Sequence, residues 1–140
     1  MVKVLVRTPF DRVERVWATP VTGGLYRLEN SLFLGYELSY QDIVETVPSA
    51  DGSFPVVSRA RIKSGNRTIR AHVQEGLASE KGRAVRGTVS ELGSTYEMAS
   101  EKILSINIPP TASLEALCQS LADHGADFEY VDPRGPGVLG

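Results

Sequence analysis

Between Asp51 and Glu75 the chain carries no acidic residue, while Arg59, Arg61, Lys63, Arg67 and Arg70 all fall there, with His72 close behind. Residues two apart on an extended strand project from one face, so Arg59, Arg61 and Lys63 would form a row of like charge. Such a row repels itself unless solvent, an acidic partner or an anion relieves it. The chemistry on offer is charge-assisted hydrogen bonding to phosphate, nucleic acid or an acidic protein. The competing reading is a solvated edge strand whose charges keep it from pairing with another chain. Ser64-Gly65-Asn66 lies between two strand-like runs and could aim backbone N–H groups at an anion. Gly and Asn also supply the positive φ of a hairpin turn, which is the preferred reading here. The candidate binding residues are therefore Arg59, Arg61, Lys63, Asn66, Arg67 and Arg70.

Other chemistry is sparse. Neither a GxGxxG nor a GxxxxGK[ST] phosphate loop occurs. His72, His124 and Cys118 do not share metal-ligand spacing, so no metal site is expected. Cys118 falls on an apolar helical stripe with His124 about 120° round the helix, which favours a core thiol over a nucleophile. Glu29, Glu37, Asp42 and Glu45 show no spacing that marks a carboxylate pair for acid–base work, and Glu29-Asn30 reads as a turn. Trp17, Tyr26, Tyr36 and Tyr40 are expected as half-buried packing. Ile103-Leu104-Ser105-Ile106-Asn107-Ile108 lacks the aromatics with which RNA-binding sheets stack bases.

The elements that must position these residues change period along the chain. The first half alternates: Val2, Val4 and Val6 against Lys3, Leu5 and Arg7, then Val13 to Thr19, ended by Pro20. Thr22-Gly23-Gly24 marks a hairpin into Leu25–Leu28. Asp42 to Val47 and Phe54 to Lys63 follow, separated by the turn signal of residues 48–52. From residue 66 the order is β-α-β-β-α-β. Thr68 to Gln74 is a strand, and Ser79 caps a helix closed by Gly93. Gly82 and Gly87 each weaken that helix by about 1 kcal/mol relative to Ala, so it must lean on packing. A hairpin over Thr95–Ala99 and Ile103–Ile108 precedes a second helix, capped by Ser113. Its stripe is Leu114, Leu117, Cys118, Leu121 and Ala122, and Gly125 closes it. Asp127 to Val131 is the last strand. The expected fold is α+β: a small antiparallel β layer or half-barrel over 1–65, a ferredoxin-like unit over 66–132 and a flexible tail over 133–140.

With 140 residues, 41% apolar and 23% charged, the composition is that of an ordinary globular domain. A net charge of −2 argues against binding nucleic acid through bulk charge. One cysteine allows no internal disulfide. The N-terminal apolar run is too short for a signal peptide and no run suits a membrane helix, so a cytoplasmic location and no membrane partner are expected.

Trp17 after a strand, Tyr26-Arg27-Leu28-Glu29-Asn30, Asp42-Ile43-Val44 and Ser64-Gly65-Asn66-Arg67-Thr68-Ile69-Arg70 come in a recognisable order. Gly93 with Tyr96-Glu97, Ile106-Asn107-Ile108-Pro109 and Tyr130 continue it. Together they resemble the bacterial family catalogued as domain of unknown function 4265, from roughly residue 3 to 132. The chain departs from that family at Ser31-Leu32-Phe33, where a Pro-Phe pair is common after the Asn. The resemblance implies no activity and no catalytic residue. The expected function is a non-catalytic binding or regulatory module that docks a protein partner or a small anionic ligand, without a cofactor. The alternatives are a nucleic-acid-associated protein using residues 59–70, or an enzyme whose site is assembled from dispersed residues.

Overall fold

The computed structural model describes residues 1–134. Five strands come first: β1 (Val2–Arg7), β2 (Val13–Thr22), β3 (Leu25–Leu28), β4 (Ile43–Val47) and β5 (Val56–Ile62). Each pairs antiparallel with the next. An up-and-down run of five leaves the first and last strands parallel, and they meet at Leu5 and Val56, so the sheet is a closed barrel. This corrects the open layer or half-barrel expected from sequence, because closure rests on one short pairing between distant segments. β1 meets β5 only at Val56, so over Arg59 and Arg61 the strand is paired to β4 alone, and the edge-strand reading of its charges still stands there. The alternating valines do what their period implies. Val4, Val6, Val16, Ala18, Leu28 and Val44 fill the barrel. Pro20 does not end β2: it sits at a register shift between Pro20 and Thr22, where a missing N–H costs no ladder bond.

The remaining elements are β6 (Arg67–His72), α1 (Glu80–Glu91), β7 (Thr95–Met98), β8 (Ile103–Ile108), α2 (Leu114–Asp123) and β9 (Asp127–Asp132). The four strands form a second sheet in the order β7-β8-β6-β9, antiparallel throughout. Ile69, Ala71, Leu104, Ile106 and Ile108 point to one face, where both helices cover them with Val85, Val89, Leu117 and Leu121. Ser79 and Ser113 cap the helices, accepting from Gly82 N and Ala116 N at 3.0 Å each. The two helical glycines differ. A Cβ on Gly82 would lie 2.3 Å from the carbonyl oxygen of Gly76, so close packing requires glycine, whereas Gly87 faces open space. On α2 the stripe is narrower than expected, since Ala122 is exposed. No helix among the described residues is long and apolar enough to cross a membrane. Of the tail expected over 133–140, residues 135–140 lie outside the described residues.

Candidate functional site

The cations of the basic segment are placed against oxygens of the protein itself. Arg59 and Arg61 stand on the outer surface of β5, and both reach Glu45 on the adjacent β4. Their hydrogen bonds, Arg59 first and Arg61 second, hold the Glu45 carboxyl below the ordinary glutamate range. Acidic relief of the like-charge row thus comes from the neighbouring strand. Lys63 lies past the end of β5 and donates to Asp42, to Asp132 at 2.7 Å and to the Glu37 carbonyl at 3.0 Å. Asp42 is fully buried and also accepts from the backbone of Ser39 and Ser64 at 2.8 Å each. Ser39 Oγ in turn joins Asp132 and Thr68, each at 2.6 Å. This network welds the barrel to the sheet.

Asn66 donates to the Tyr40 carbonyl at 2.9 Å, beside Gly65 at φ 92°. The hairpin expected at Ser64-Gly65-Asn66 is not formed, because β5 and β6 lie in different sheets; the segment is the link between them, and only Gly65 takes the positive φ. Arg67 donates to the carbonyls of Pro109 and Ala112 at 2.9 and 2.7 Å. Arg70 is 5% exposed and donates to the Gly35 carbonyl at 2.8 Å and more weakly to that of Leu32. The six residues are therefore spread over the barrel exterior, the junction and the sheet. Lys63 and Asn66 come together at the junction; Arg59 and Arg61 come together on Glu45. Cys118 is buried against Tyr130, and burial pushes its thiol up. His124 instead faces the Ser120 carbonyl at 2.8 Å. Among the described residues no cluster of three His, Cys, Asp or Glu is placed to hold a metal.

The chain between β3 and β4, residues 29–42, is long for a compact domain. It crosses the sheet face that the helices leave open, as a strap. Asn30 Nδ2 and Ser31 N donate to Glu97 of β7 at 3.2 and 3.1 Å. The Leu32 carbonyl accepts from Ser105 of β8 at 2.8 Å, and Glu37 N donates to the Val131 carbonyl of β9 at 2.6 Å. Leu32 and Leu38 plug the end of the barrel. Full burial of Leu32 contributes about 1.5–3 kcal/mol to holding the strap down. Glu14, on β2, turns its carboxylate to the N–H groups of Phe33, Leu34 and Gly35. The segment Ser31-Leu32-Phe33, where the Pro-Phe pair is missing, is thus fixed by side-chain carboxylates at both ends.

One part of the open face stays uncovered, leaving a cleft of about 380 Å³ between strap, barrel and sheet. Phe10 of the β1–β2 turn, Phe33, Leu34 and Tyr36 of the strap, and Ile103 of β8 give it apolar walls. Arg70, His72, Asp127 and Glu129 give it polar ones. Two of these are spent: Arg70 on carbonyls, and Glu129 on the Tyr36 hydroxyl. Burial, with the hydrogen bond to Glu129, pushes the Tyr36 hydroxyl above its ordinary pKa. The guanidinium groups of Arg70 and Arg134 lie 4.6 and 4.2 Å from the Tyr36 ring centroid. His72 and Asp127 are cross-strand partners with no side-chain hydrogen bond or ion pair among the described residues, so they remain open for a ligand. Among the described residues that line the cleft there is no serine, threonine or cysteine. Sequence reasoning picked out His72 and Tyr36 only in passing and missed Phe10, Phe33, Asp127 and Glu129. They lie too far apart in the chain for any local pattern to join them.

A family model described as Domain of unknown function (DUF4265) matches residues 14–129. No curated protein matches the chain. A solved structure, described as a novel crystal structure of a hypothetical protein from Neisseria gonorrhoeae, is similar over 93% of each chain, with a TM-score of 0.78. At 17% identity that likeness speaks for the fold alone.

Proposed function

The chain belongs to the DUF4265 family, and on that premise we propose that it is a non-catalytic binding module whose ligand sits in the cleft under the strap. The observation that carries this is the pairing of apolar walls with two unspent polar groups, His72 and Asp127, at the junction of barrel and sheet. A cleft of about 380 Å³ at such a junction has the size and composition of a small-molecule site. Asp127 is an acceptor and Arg70, the arginine that lines the cleft, is engaged on backbone carbonyls, so the ligand best suited has an aromatic or apolar body and a head that donates hydrogen bonds. The anionic ligand and the nucleic acid expected of residues 59–70 find less support, because those cations already have protein partners. Two readings of architecture accompany the proposal. The order β-α-β-β-α-β and the strand order β7-β8-β6-β9 support a ferredoxin-like unit over 66–132. Two separate cores support its division from a β-rich unit over 1–65.

Thermal-shift titration with tryptamine and with indole-acetate, similar in body and opposite in charge, tests the site. At ten times its Kd a ligand adds about 1.4 kcal/mol, which raises Tm by about 4 °C in a chain of this size. Tryptamine is expected to give the rise, and Asp127→Asn or Phe10→Ala to abolish it. A rise with indole-acetate alone favours the anionic ligand; a rise that survives both substitutions places the site elsewhere.

A further inference from the structure

A group of cations without acidic partners lies on another surface, the outer face of β1 and β2. Lys3, Leu5 and Arg7 point outward from β1 and pair across the ladder with Trp17, Arg15 and Val13 of β2. None of Lys3, Arg7, Arg12 and Arg15 has an ion-pair partner among the described residues. The carboxylates nearest in sequence are turned elsewhere or lie at the ends: Glu14 faces the strap, Asp51 is engaged by Ser49 and Ser53, and Asp11 lies in the β1–β2 turn. Two aromatic rings stand exposed on the same face, Trp17 at 44% and Phe54 at 41%. Each has a cation over its ring, which a stacking base would displace towards its own phosphate: Lys3 Nζ is 4.7 Å from the Trp17 ring centroid, and Arg15 Cζ is 5.8 Å from that of Phe54. Lys3, Arg15 and Arg7 form a staggered row about 13 Å long, given the rise of an extended strand.

We infer that this outer face of β1 and β2 binds single-stranded nucleic acid, with bases stacked on Trp17 and Phe54 and phosphates held by Lys3, Arg15 and Arg7. Alternating rings and cations without an acidic partner are the elements of a stacking platform that is tolerant of sequence, because every base has a π-face. A base stacked on either ring brings its own phosphate within reach of the neighbouring cation. An acidic peptide would satisfy the cations and leave both rings exposed to water. A duplex would offer phosphates with its bases already stacked. This surface lies outside the cleft, and its assignment does not depend on the cleft reading.

Trp17 is the chain's one tryptophan, so its fluorescence reports directly on the face. The full chain is titrated with 12-nucleotide oligo-dT and oligo-U at 50 and 200 mM salt. Both are expected to quench the emission, the tighter of the two identifying DNA or RNA as the better ligand. Three phosphate contacts on a single strand give a salt slope of about −2, so binding weakens about 20-fold between the two salt concentrations. Arg15→Glu and Lys3→Ala should weaken quenching at 50 mM salt while leaving the circular-dichroism melt unchanged, and Arg61→Ala should leave quenching as it is. Three results overturn the inference: no quenching at 50 mM salt, equal binding of a 12-base-pair duplex, or equal binding of poly-glutamate.

Discussion

Replacing Lys63 with methionine leaves two buried carboxylates facing each other without their shared cation. Asp42 is 0% and Asp132 8% exposed, and the lysine ammonium touches both. Removing one partner from a buried ion pair costs about 3–5 kcal/mol. The Lys63 side chain is 45% exposed, which lets water reach the vacated position, so the expected loss is about 2–3 kcal/mol. That corresponds to a fall in Tm of about 10 °C, read by circular dichroism. Asp42→Asn combined with Lys63→Met should be milder than the sum of the single changes by about 1–2 kcal/mol, because the orphaned charge is then reduced. The pH dependence has a definite sign. Burial opposes the lysine charge, but hydrogen bonds to Asp132 and Asp42 outweigh it and raise its pKa above the ordinary 10.5. A raised pKa in the fold gives stabilisation that is complete below about pH 10.5 and is lost as pH climbs through the folded value. The difference between wild type and Lys63→Met should therefore be flat through neutral pH and shrink above about pH 10.5. Tyr36 and Tyr130 also have raised pKa values, so the difference is read rather than the wild-type curve. A loss below about 0.5 kcal/mol, or a difference that persists undiminished to about pH 12, would refute the reasoning.

Gly82→Ala and Gly87→Ala should move stability in opposite directions. The first drives a Cβ to 2.3 Å from Gly76 O and lowers Tm, and the second adds a helix-favouring residue in open space, worth about 1 kcal/mol in chemical denaturation. Asp51 accepts from Ser49 and Ser53, so an NMR titration should place its carboxyl at about 2. Its stabilising contribution is present above the ordinary aspartate value and is lost as pH falls through that lower one. Glu14→Gln weakens three charge-assisted bonds to the strap, and amide exchange at Phe33, Leu34 and Gly35 should accelerate about 10- to 100-fold. Unchanged exchange at those amides would mean that the strap is held by its leucines alone.

Local chemistry was legible in the chain where it acts locally. The inward faces of Val4 and Val6, the caps Ser79 and Ser113 and the β-α-β-β-α-β order are found where the residues imply them, whereas Val2, at the strand's start, is left exposed. Barrel closure was not legible, because it depends on Leu5 meeting Val56, and no pattern in either strand announces the other. The basic run misled for the same reason. Its acidic partners Asp42, Glu45 and Asp132 lie 14 to 69 residues away, so a local reading sees charge without its compensation. Lys3, Arg7 and Arg15 escaped notice because they are spaced singly among valines and next to Glu14, although the fold gathers them on one face. The cleft draws on residues from Phe10 to Glu129 and has no linear signature at all.

The most direct test of the cleft as the binding site is an amide NMR titration of the full chain with tryptamine. Shifts confined to residues 33–36, 70–72, 103 and 127–129 are the expected result. Shifts that instead follow the outer face of β1 and β2, or no shift at millimolar tryptamine, would contradict it.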